Sequence, residues 1–195
     1  MGDTKKIDIS DVLKKAAEMY PALKAAAALE KTGIADAMSE TQFVKFSDIK
    51  KAAMCSVSAT CNFLAAAVKA GVVEKDPAGP NYRLNSYMAV RETAKRCLSP
   101  ERIRKVTGES PIAQAERIVL SFIRYAPVFE ALQNGELFLA EIQEQLSINQ
   151  SPASLKMSLM YEYGWLNRRR DGKNVYYSLS DQTRNILASL AGALL

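Results

Sequence analysis

Hydrophobic residues near the start of the chain recur at the spacing of an amphipathic helix. They are Val12, Leu13, Ala16 and Met19. Ser10 or Asp11 precedes this stripe and is predicted to cap the helix. Pro21 is expected to open a second, alanine-rich segment that Gly33 ends. The pattern therefore predicts two consecutive helices.

Two later stretches share one order of predicted elements: helix, turn, helix, glycine and a hairpin of two short strands. The first covers residues 47–85 and the second covers residues 138–180. Gly71 and Gly164 end the second helix of each copy and are 93 residues apart. The same offset aligns Ile49 with Ile142, Ser58 with Ser151, and Leu64 with Met157. So many successive matches indicate an internal repeat.

Helical spacing also predicts which side chains of the two copies face inward. They are Leu64, Ala67 and Val68 in the first copy, and Ala153, Met157 and Met160 in the second. Ser47 is predicted to cap the first helix of copy one. The predicted fold is mainly α with small β-hairpin wings, as two winged helix-turn-helix units in tandem. The predicted divisions are residues 1–90, a basic connector over residues 91–110, and residues 111–195.

The net charge favours an anionic partner, and the absence of histidine disfavours enzyme chemistry. Lys and Arg number 26 against 21 Asp and Glu, a formal net charge of +5, which suits nucleic acid. The chain has no histidine, so the usual imidazole bases, triads and zinc ligand sets are missing. We therefore expect no enzyme activity, no cofactor and no metal site.

The cysteines point to a reducing compartment. Cys55, Cys61 and Cys97 match neither a CxxC redox pair nor a zinc ribbon. Cys55 and Cys61 flank the start of a predicted helix, where a thiol pKa can be lowered. A thiol sensor and a pair of small buried residues are therefore both open interpretations. Because no apolar run approaches the roughly 20 residues that span a bilayer, we expect a cytoplasmic protein without membrane contact.

Residues 151–180, SPASLKMSLMYEYGWLNRRRDGKNVYYSLS, resemble the recognition helix and wing of arsenical-repressor-like and multiple-antibiotic-resistance-like transcriptional regulators. Residues 23–85 resemble the winged-helix dimerisation domain of small-molecule O-methyltransferases, although the glycine-rich cofactor loop of those enzymes is missing. These resemblances imply duplex contact by the second copy, and dimerisation or effector sensing by the first. No effector can be named.

Candidate DNA contacts concentrate in the second copy. The hairpin residues are Arg168, Arg169, Arg170, Lys173 and Asn174. A turn at Asp171-Gly172 is expected to project four cations from the hairpin tip toward phosphates.

The second helix of this copy supplies the other candidates. Ser151 is predicted to cap it, with Ser154, Lys156 and Ser158 on or near its outer face, within reach of bases or backbone. Leu155 stands where these repressors often carry Arg. The nearby aromatic residues are assigned mostly to the core and to strand pairing. They are Tyr161, Tyr163, Trp165, Tyr176 and Tyr177.

The first copy is the poorer DNA reader, because its hairpin tip is uncharged. Lys50, Lys51 and Lys75 are possible secondary phosphate contacts. Surplus apolar helix over residues 112–132 and 186–195 suggests a homodimer, or else internal packing within one chain.

The predicted function is a non-enzymatic regulator that binds double-stranded DNA. The alternative is a tandem winged-helix adaptor that binds proteins, resembling condensin-accessory or membrane-sorting subunits. A methyltransferase fragment is a third possibility, which predicts binding of S-adenosylmethionine.

Overall fold

A computed structural model describes residues 8–98 and 109–195 of the chain. The described residues are mostly helical and contain two small, three-stranded antiparallel sheets, which confirms a mainly α fold with small β-hairpins. The helices are α1 (Ile9–Lys31), α2 (Phe46–Ala52), α3 (Val57–Lys69), α4 (Tyr87–Cys97), α5 (Pro111–Ala131), α6 (Leu139–Leu146), α7 (Gln150–Glu162) and α8 (Asp181–Leu194). The strands are β1 (Val44–Lys45), β2 (Val73–Lys75), β3 (Asn81–Leu84), β4 (Leu137–Phe138), β5 (Leu166–Asp171) and β6 (Asn174–Leu179).

The two sheets have the same topology. The first has the strand order β1-β3-β2 and the second has β4-β6-β5. Each begins with a two-residue strand that runs directly into a helix, α2 or α6. These short strands, β1 and β4, were not predicted. The order strand, helix, helix, hairpin, helix therefore occurs twice in the chain.

The glycines that end α3 and α7 explain how each hairpin begins. Gly71 and Gly164 have φ angles of 73° and 72°, a left-handed conformation that favours glycine. The next amide, of Val72 or Trp165, donates a hydrogen bond of 2.9 Å to the carbonyl of Ala67 or Met160. This is a Schellman motif, and it turns the chain from helix into strand in both copies.

The chain divides into two compact units, and each contains one sheet. The first unit comprises residues 17–98 and 109–120, and the second comprises residues 8–16 and 121–195. These divisions fall within α1 and α5, unlike the predicted boundaries at residues 90 and 110. Residues 99–108 of the predicted basic connector, including Arg102, Arg104 and Lys105, lie outside the described residues.

Each unit has its own apolar core. The fully buried side chains of the first unit include Leu23, Leu29, Ile34, Ile49 and Leu64. In the second unit, Trp165 packs beside Phe122 and Phe129, with ring centroids 4.8 and 5.8 Å away.

Most apolar residues of α5 and α8 that suggested a dimer are buried within the single chain. The homodimer stays a prediction, without this surface to support it.

Several local predictions were wrong. Pro21 was expected to open a second helix but lies inside α1, and Pro127 likewise lies inside α5. An internal proline removes one backbone hydrogen bond and costs about 3 kcal/mol. The alanine-rich flanks of Pro21 have high helix propensity, and α5 is anchored by buried residues on both sides of Pro127. Neither helix is interrupted as a result.

The predicted helix starts also differ from the structure. Asp8, not Ser10 or Asp11, accepts the hydrogen bond at the start of α1, from the Ser10 amide at 2.9 Å. Ser47 and Ser151 lie one residue inside their helices, since the preceding backbone is already extended at Lys45 and Asn149. Ser56, which precedes α3, caps that helix by accepting a hydrogen bond from the Ala59 amide. Val68, which was predicted to face inward, is 36% exposed because it lies at the edge of the buried stripe.

Candidate nucleic-acid interface

The basic hairpin, β5 with β6, carries most of the candidate contacts. Asp171 pairs with Asn174, so Gly172 and Lys173 form the two-residue turn, with Gly172 at a φ of 57°. The three arginines precede that turn within β5. Because side chains alternate along a strand, Arg168 and Arg170 share one face and Arg169 lies on the other. The prediction that all four cations project from the tip was wrong, and only Lys173 is in the turn.

Arg169 is engaged with carboxylates on its own face of the sheet. Its Nη2 and Nε donate hydrogen bonds of 2.6 and 3.2 Å to Glu136, and Nη1 lies 3.4 Å from an Asp171 carboxylate oxygen. The guanidinium carbon is also 4.5 Å from the centre of the Tyr176 ring. The Arg169 hydrogen bond lowers the pKa of Glu136, and Glu136 raises the pKa of Arg169. Its charge is thus matched within the chain.

Arg168 has a different environment. Its guanidinium carbon lies 4.6 Å from the centre of the Tyr161 ring, at the end of α7. Within residues 8–98 and 109–195, it forms neither a hydrogen bond nor an ion pair, and it is exposed. Arg170 donates one hydrogen bond, from Nε to the Gly172 carbonyl at 3.3 Å. The guanidinium N–H groups of Arg168 remain available to an external anion.

Lys173 and Asn174, at the end of the hairpin, are both exposed. Asn174 opens β6 and is paired with Asp171. Together with Arg168 and Arg170, Lys173 gives the hairpin three exposed cations that have no carboxylate partner in the described part of the chain.

The helix α7 buries the predicted stripe, with Ala153, Met157 and Met160 at 0% exposure. At 3.6 residues per turn, Ser154 and Ser158 lie on the same flank of the helix as Tyr161. Both serines are half-buried.

Lys156 lies on the opposite flank of α7 from those serines. It is half-buried, and its Nζ is 5.6 Å from the centre of the Tyr125 ring. Leu155 and Glu162 are exposed at the middle of the outer face, Leu155 by 63%. Ser151 is exposed beside them. The outer face therefore presents an apolar and an acidic side chain, and Lys156 is turned away from the basic hairpin.

The aromatic residues divide between core and surface. Tyr177 is buried, Trp165 packs with the phenylalanines, and Tyr176 lies in the sheet 6.1 Å from Phe138, as the sequence predicted. Tyr161 and Tyr163 are instead 41% and 59% exposed, because they follow the last buried position of α7. Sequence reasoning missed their exposure and also missed Glu136. An acidic residue two positions before Phe138, on the same side of β4, was the available signal.

The secondary candidates lie in the first unit. Lys51 forms an exposed ion pair with Asp48 at 3.3 Å, Lys50 is half-buried, and Lys75 is exposed on β2. The one arginine in this hairpin, Arg83, donates two hydrogen bonds to Glu74, at 2.7 and 2.9 Å. The first hairpin therefore shows no cluster of unpaired arginines among its described residues.

The cysteines are all free thiols. Cys55 is half-buried, with Sγ 3.3 Å from the Thr60 hydroxyl, and Cys61 is exposed on α3. Cys97 is buried, which raises the pKa of its thiol to about 11. Neither Cys55 nor Cys61 is buried, so the interpretation of the two as small buried residues was wrong, and the thiol-sensor interpretation stays a prediction.

No protein-family model, curated protein or solved structure matches this chain. Among the described helices, none alone has the length and apolar composition of a bilayer span. The helices α2 and α3 have that length and composition only when taken together, and they are bent by 115° relative to each other.

Proposed function

We propose that the chain is a cytoplasmic, DNA-binding transcriptional regulator built from two winged-helix units in tandem, the second supplying most of the duplex contact. In this proposal α6 and α7 form the helix-turn-helix and the basic hairpin forms the wing. The observation that carries the proposal is the set of exposed cations on that hairpin: Arg168, Arg170 and Lys173. Cations without internal partners neutralise phosphates at the lowest cost in existing interactions.

The character of the interface follows from the same surfaces. The exposed face of α7 carries Leu155 and Glu162, so the helix offers little direct readout of base edges. Phosphate contacts position a protein and carry little sequence information. We therefore propose that the hairpin supplies most of the binding free energy, with strong salt dependence. The hydroxyls of Ser154 and Ser158 are the remaining candidates for contacts to bases or backbone.

Fluorescence anisotropy with a labelled duplex tests the proposal. Replacing Arg168, Arg170 and Lys173 by Gln should weaken binding and make the salt slope shallower by about 0.9 for each phosphate that the variant no longer neutralises. The matched control replaces Lys24, Lys31 and Lys45 by Gln, three exposed lysines of the first unit that are not candidate contacts, and it changes the net charge equally. Absence of duplex binding by the intact protein at low salt, or equally weakened binding in both triple variants, contradicts the proposal.

Selection of bound duplexes from random DNA tests the homodimer that the sequence predicted. A two-fold dimer that reads DNA through identical units enriches a palindrome whose half-sites lie about one helical turn apart. Enrichment of single half-sites indicates binding by a monomer.

One observation favours the adaptor as a second candidate function. Leu155, Tyr161 and Tyr163 expose apolar or aromatic surface at the outer face and end of α7. Aromatic side chains of this kind are enriched at protein–protein interfaces. A pull-down from lysate, with and without nuclease, separates the candidates: partners retained after nuclease treatment favour the adaptor, and partners released with the nucleic acid favour the regulator.

A further inference from the structure

Arg168 and Arg169 are neighbours in the sequence, but their guanidinium groups have different partners. Arg169 is bound to Glu136 and lies close to Asp171, so an external anion must compete with carboxylates for it. Arg168 has no carboxylate partner among the described residues and is held against an aromatic ring. Of these two arginines, Arg168 is therefore the one whose charge is available.

The aromatic ring under Arg168 belongs to Tyr161, one residue before the end of α7. A guanidinium that stacks on an aromatic face is oriented by the ring, while its N–H groups remain free at the edge. Those N–H groups match the geometry of two phosphate oxygens. The stack also restricts a side chain that otherwise loses rotamer freedom when it binds.

We propose that Tyr161 is a positioning residue that presents the Arg168 guanidinium to a backbone phosphate of duplex DNA. This inference rests on the proposed function, because it specifies how the basic hairpin binds its anion. Tyr161 is on the same flank of α7 as Ser154 and Ser158, so the phosphate path runs along that flank and onto the Arg168 face of the hairpin. Lys156, whose Nζ lies 5.6 Å from the centre of the Tyr125 ring on the other flank, lies off this path.

The chain offers a matched control for Tyr161. Tyr163 is two residues away and more exposed, at 59% against 41%. In the described structure no cation lies over the Tyr163 ring, whereas Arg168 lies over the Tyr161 ring. Replacing either residue by Leu removes the same exposed ring chemistry, but only one replacement removes the stack.

A double-mutant cycle on duplex binding tests the inference. Tyr161→Leu should weaken binding about two- to tenfold, the cost of ordering one long side chain that is no longer held before DNA binds. Tyr161→Phe keeps the ring and should bind as the unchanged protein does, and Tyr163→Leu should also have little effect. In an Arg168→Gln background, Tyr161→Leu should cause no further loss of affinity, because the residue acts through Arg168.

The outcomes separate this inference from the proposed function. If the unchanged protein binds duplex and Tyr161→Leu binds equally well, the positioning role is wrong and the DNA-binding proposal stands. An equal loss of affinity for Tyr161→Phe and Tyr161→Leu overturns the stacking argument, as does a loss that persists in the Arg168→Gln background. If the unchanged protein binds no duplex at low salt, both proposals fail. Circular dichroism of every variant checks that the fold is retained.

Discussion

Arg169 reaches back 33 residues along the chain to donate hydrogen bonds of 2.6 and 3.2 Å to Glu136. The pair ties β5 to the residue just before β4, on the sheet face that also carries Tyr176. Both side chains are about half exposed, so the pair contributes little to stability. Its main effect is on the charge that the basic hairpin presents.

Removing the two charges of this pair together should change duplex binding little. The double variant Glu136→Gln with Arg169→Gln leaves the net charge of the hairpin unchanged. We expect its affinity to stay within about twofold of the unchanged protein, whereas Arg168→Gln should bind about tenfold more weakly, because a hydrogen bond to a charged group contributes about 1.5 kcal/mol. Anisotropy titrations at one salt concentration measure both. Equally weakened binding in the two variants contradicts the claim that Arg168 is available to phosphate and Arg169 is not.

Glu136→Gln alone should strengthen duplex binding. The substitution removes the carboxylate that competes with phosphate for Arg169 and raises the net charge by one. We expect a salt slope steeper by up to about 0.9, since one more cation becomes free to displace a counterion. Glu144→Gln, an exposed residue of α6 with the same charge change, is the control. A gain of equal size in both variants shows a general charge effect and no release of Arg169.

The competition between Glu136 and phosphate for Arg169 also predicts the direction in which duplex affinity changes with pH. Arg169 lowers the pKa of Glu136, so Glu136 keeps its charge down to a lower pH than an isolated carboxylate. The pair is therefore intact at neutral pH, and it is broken as the pH falls through that lowered pKa. Duplex affinity measured from pH 7 downward should rise more in the unchanged protein than in Glu136→Gln. Parallel pH curves for the two proteins contradict this.

The repeated order of elements could be predicted from the sequence because its markers are local. Gly71 and Gly164 each have the left-handed backbone that their position at a helix end implies. The buried stripe of α7 follows from helical spacing alone. The strands β1 and β4 have two residues each, too few to show an alternating pattern.

The state of each cation could not be predicted from the sequence. The register that pairs Asp171 with Asn174 puts the arginines in a strand, on alternating faces, and the run RRRDGK does not reveal that register. The partner of Arg169 is distant in sequence, and the ring under Arg168 comes from another element. Long-range partners of this kind depend on tertiary structure. The sequence pattern therefore predicted a basic hairpin, but it could not predict which of the arginines have carboxylate partners.

Two equivalent serines allow a comparison of stability between the copies. Ser180 precedes α8 and donates a 2.7 Å hydrogen bond to the Gly164 carbonyl, and it also accepts one from the Thr183 amide at 3.2 Å. Ser86 precedes α4 and donates a 2.9 Å hydrogen bond to the Gly71 carbonyl, but its side chain does not cap the helix. Ser180 is buried, whereas Ser86 is half-buried.

Ser180→Ala should therefore cost more stability than Ser86→Ala. We expect the free energy of unfolding to fall by about 1–2 kcal/mol for Ser180→Ala, because the substitution removes a cap and a buried hydrogen bond together. Ser86→Ala removes a single hydrogen bond that is more accessible to solvent, and it should cost about 0.5 kcal/mol. Urea unfolding followed by circular dichroism gives both values. A larger decrease for Ser86→Ala shows that the two turns are not stabilised as their hydrogen bonds indicate.

The three thiols should react with an alkylating reagent at different rates. Burial raises the pKa of Cys97 to about 11, so at pH 8 only about 0.1% of it is the reactive thiolate, and the reagent must also reach a buried atom. Cys61 is exposed on α3 and should be modified first, while Cys55, half-buried beside the Thr60 hydroxyl, should follow.

Timed labelling with iodoacetamide at pH 8, read by mass spectrometry of the digested protein, gives the order directly. Labelling in urea removes burial, so all three rates should then converge. Cys97→Ala should leave the native rates of the other two thiols unchanged. Fast native modification of Cys97 is the contradictory result, because a thiol that reacts before unfolding is not in the packed environment that raises its pKa.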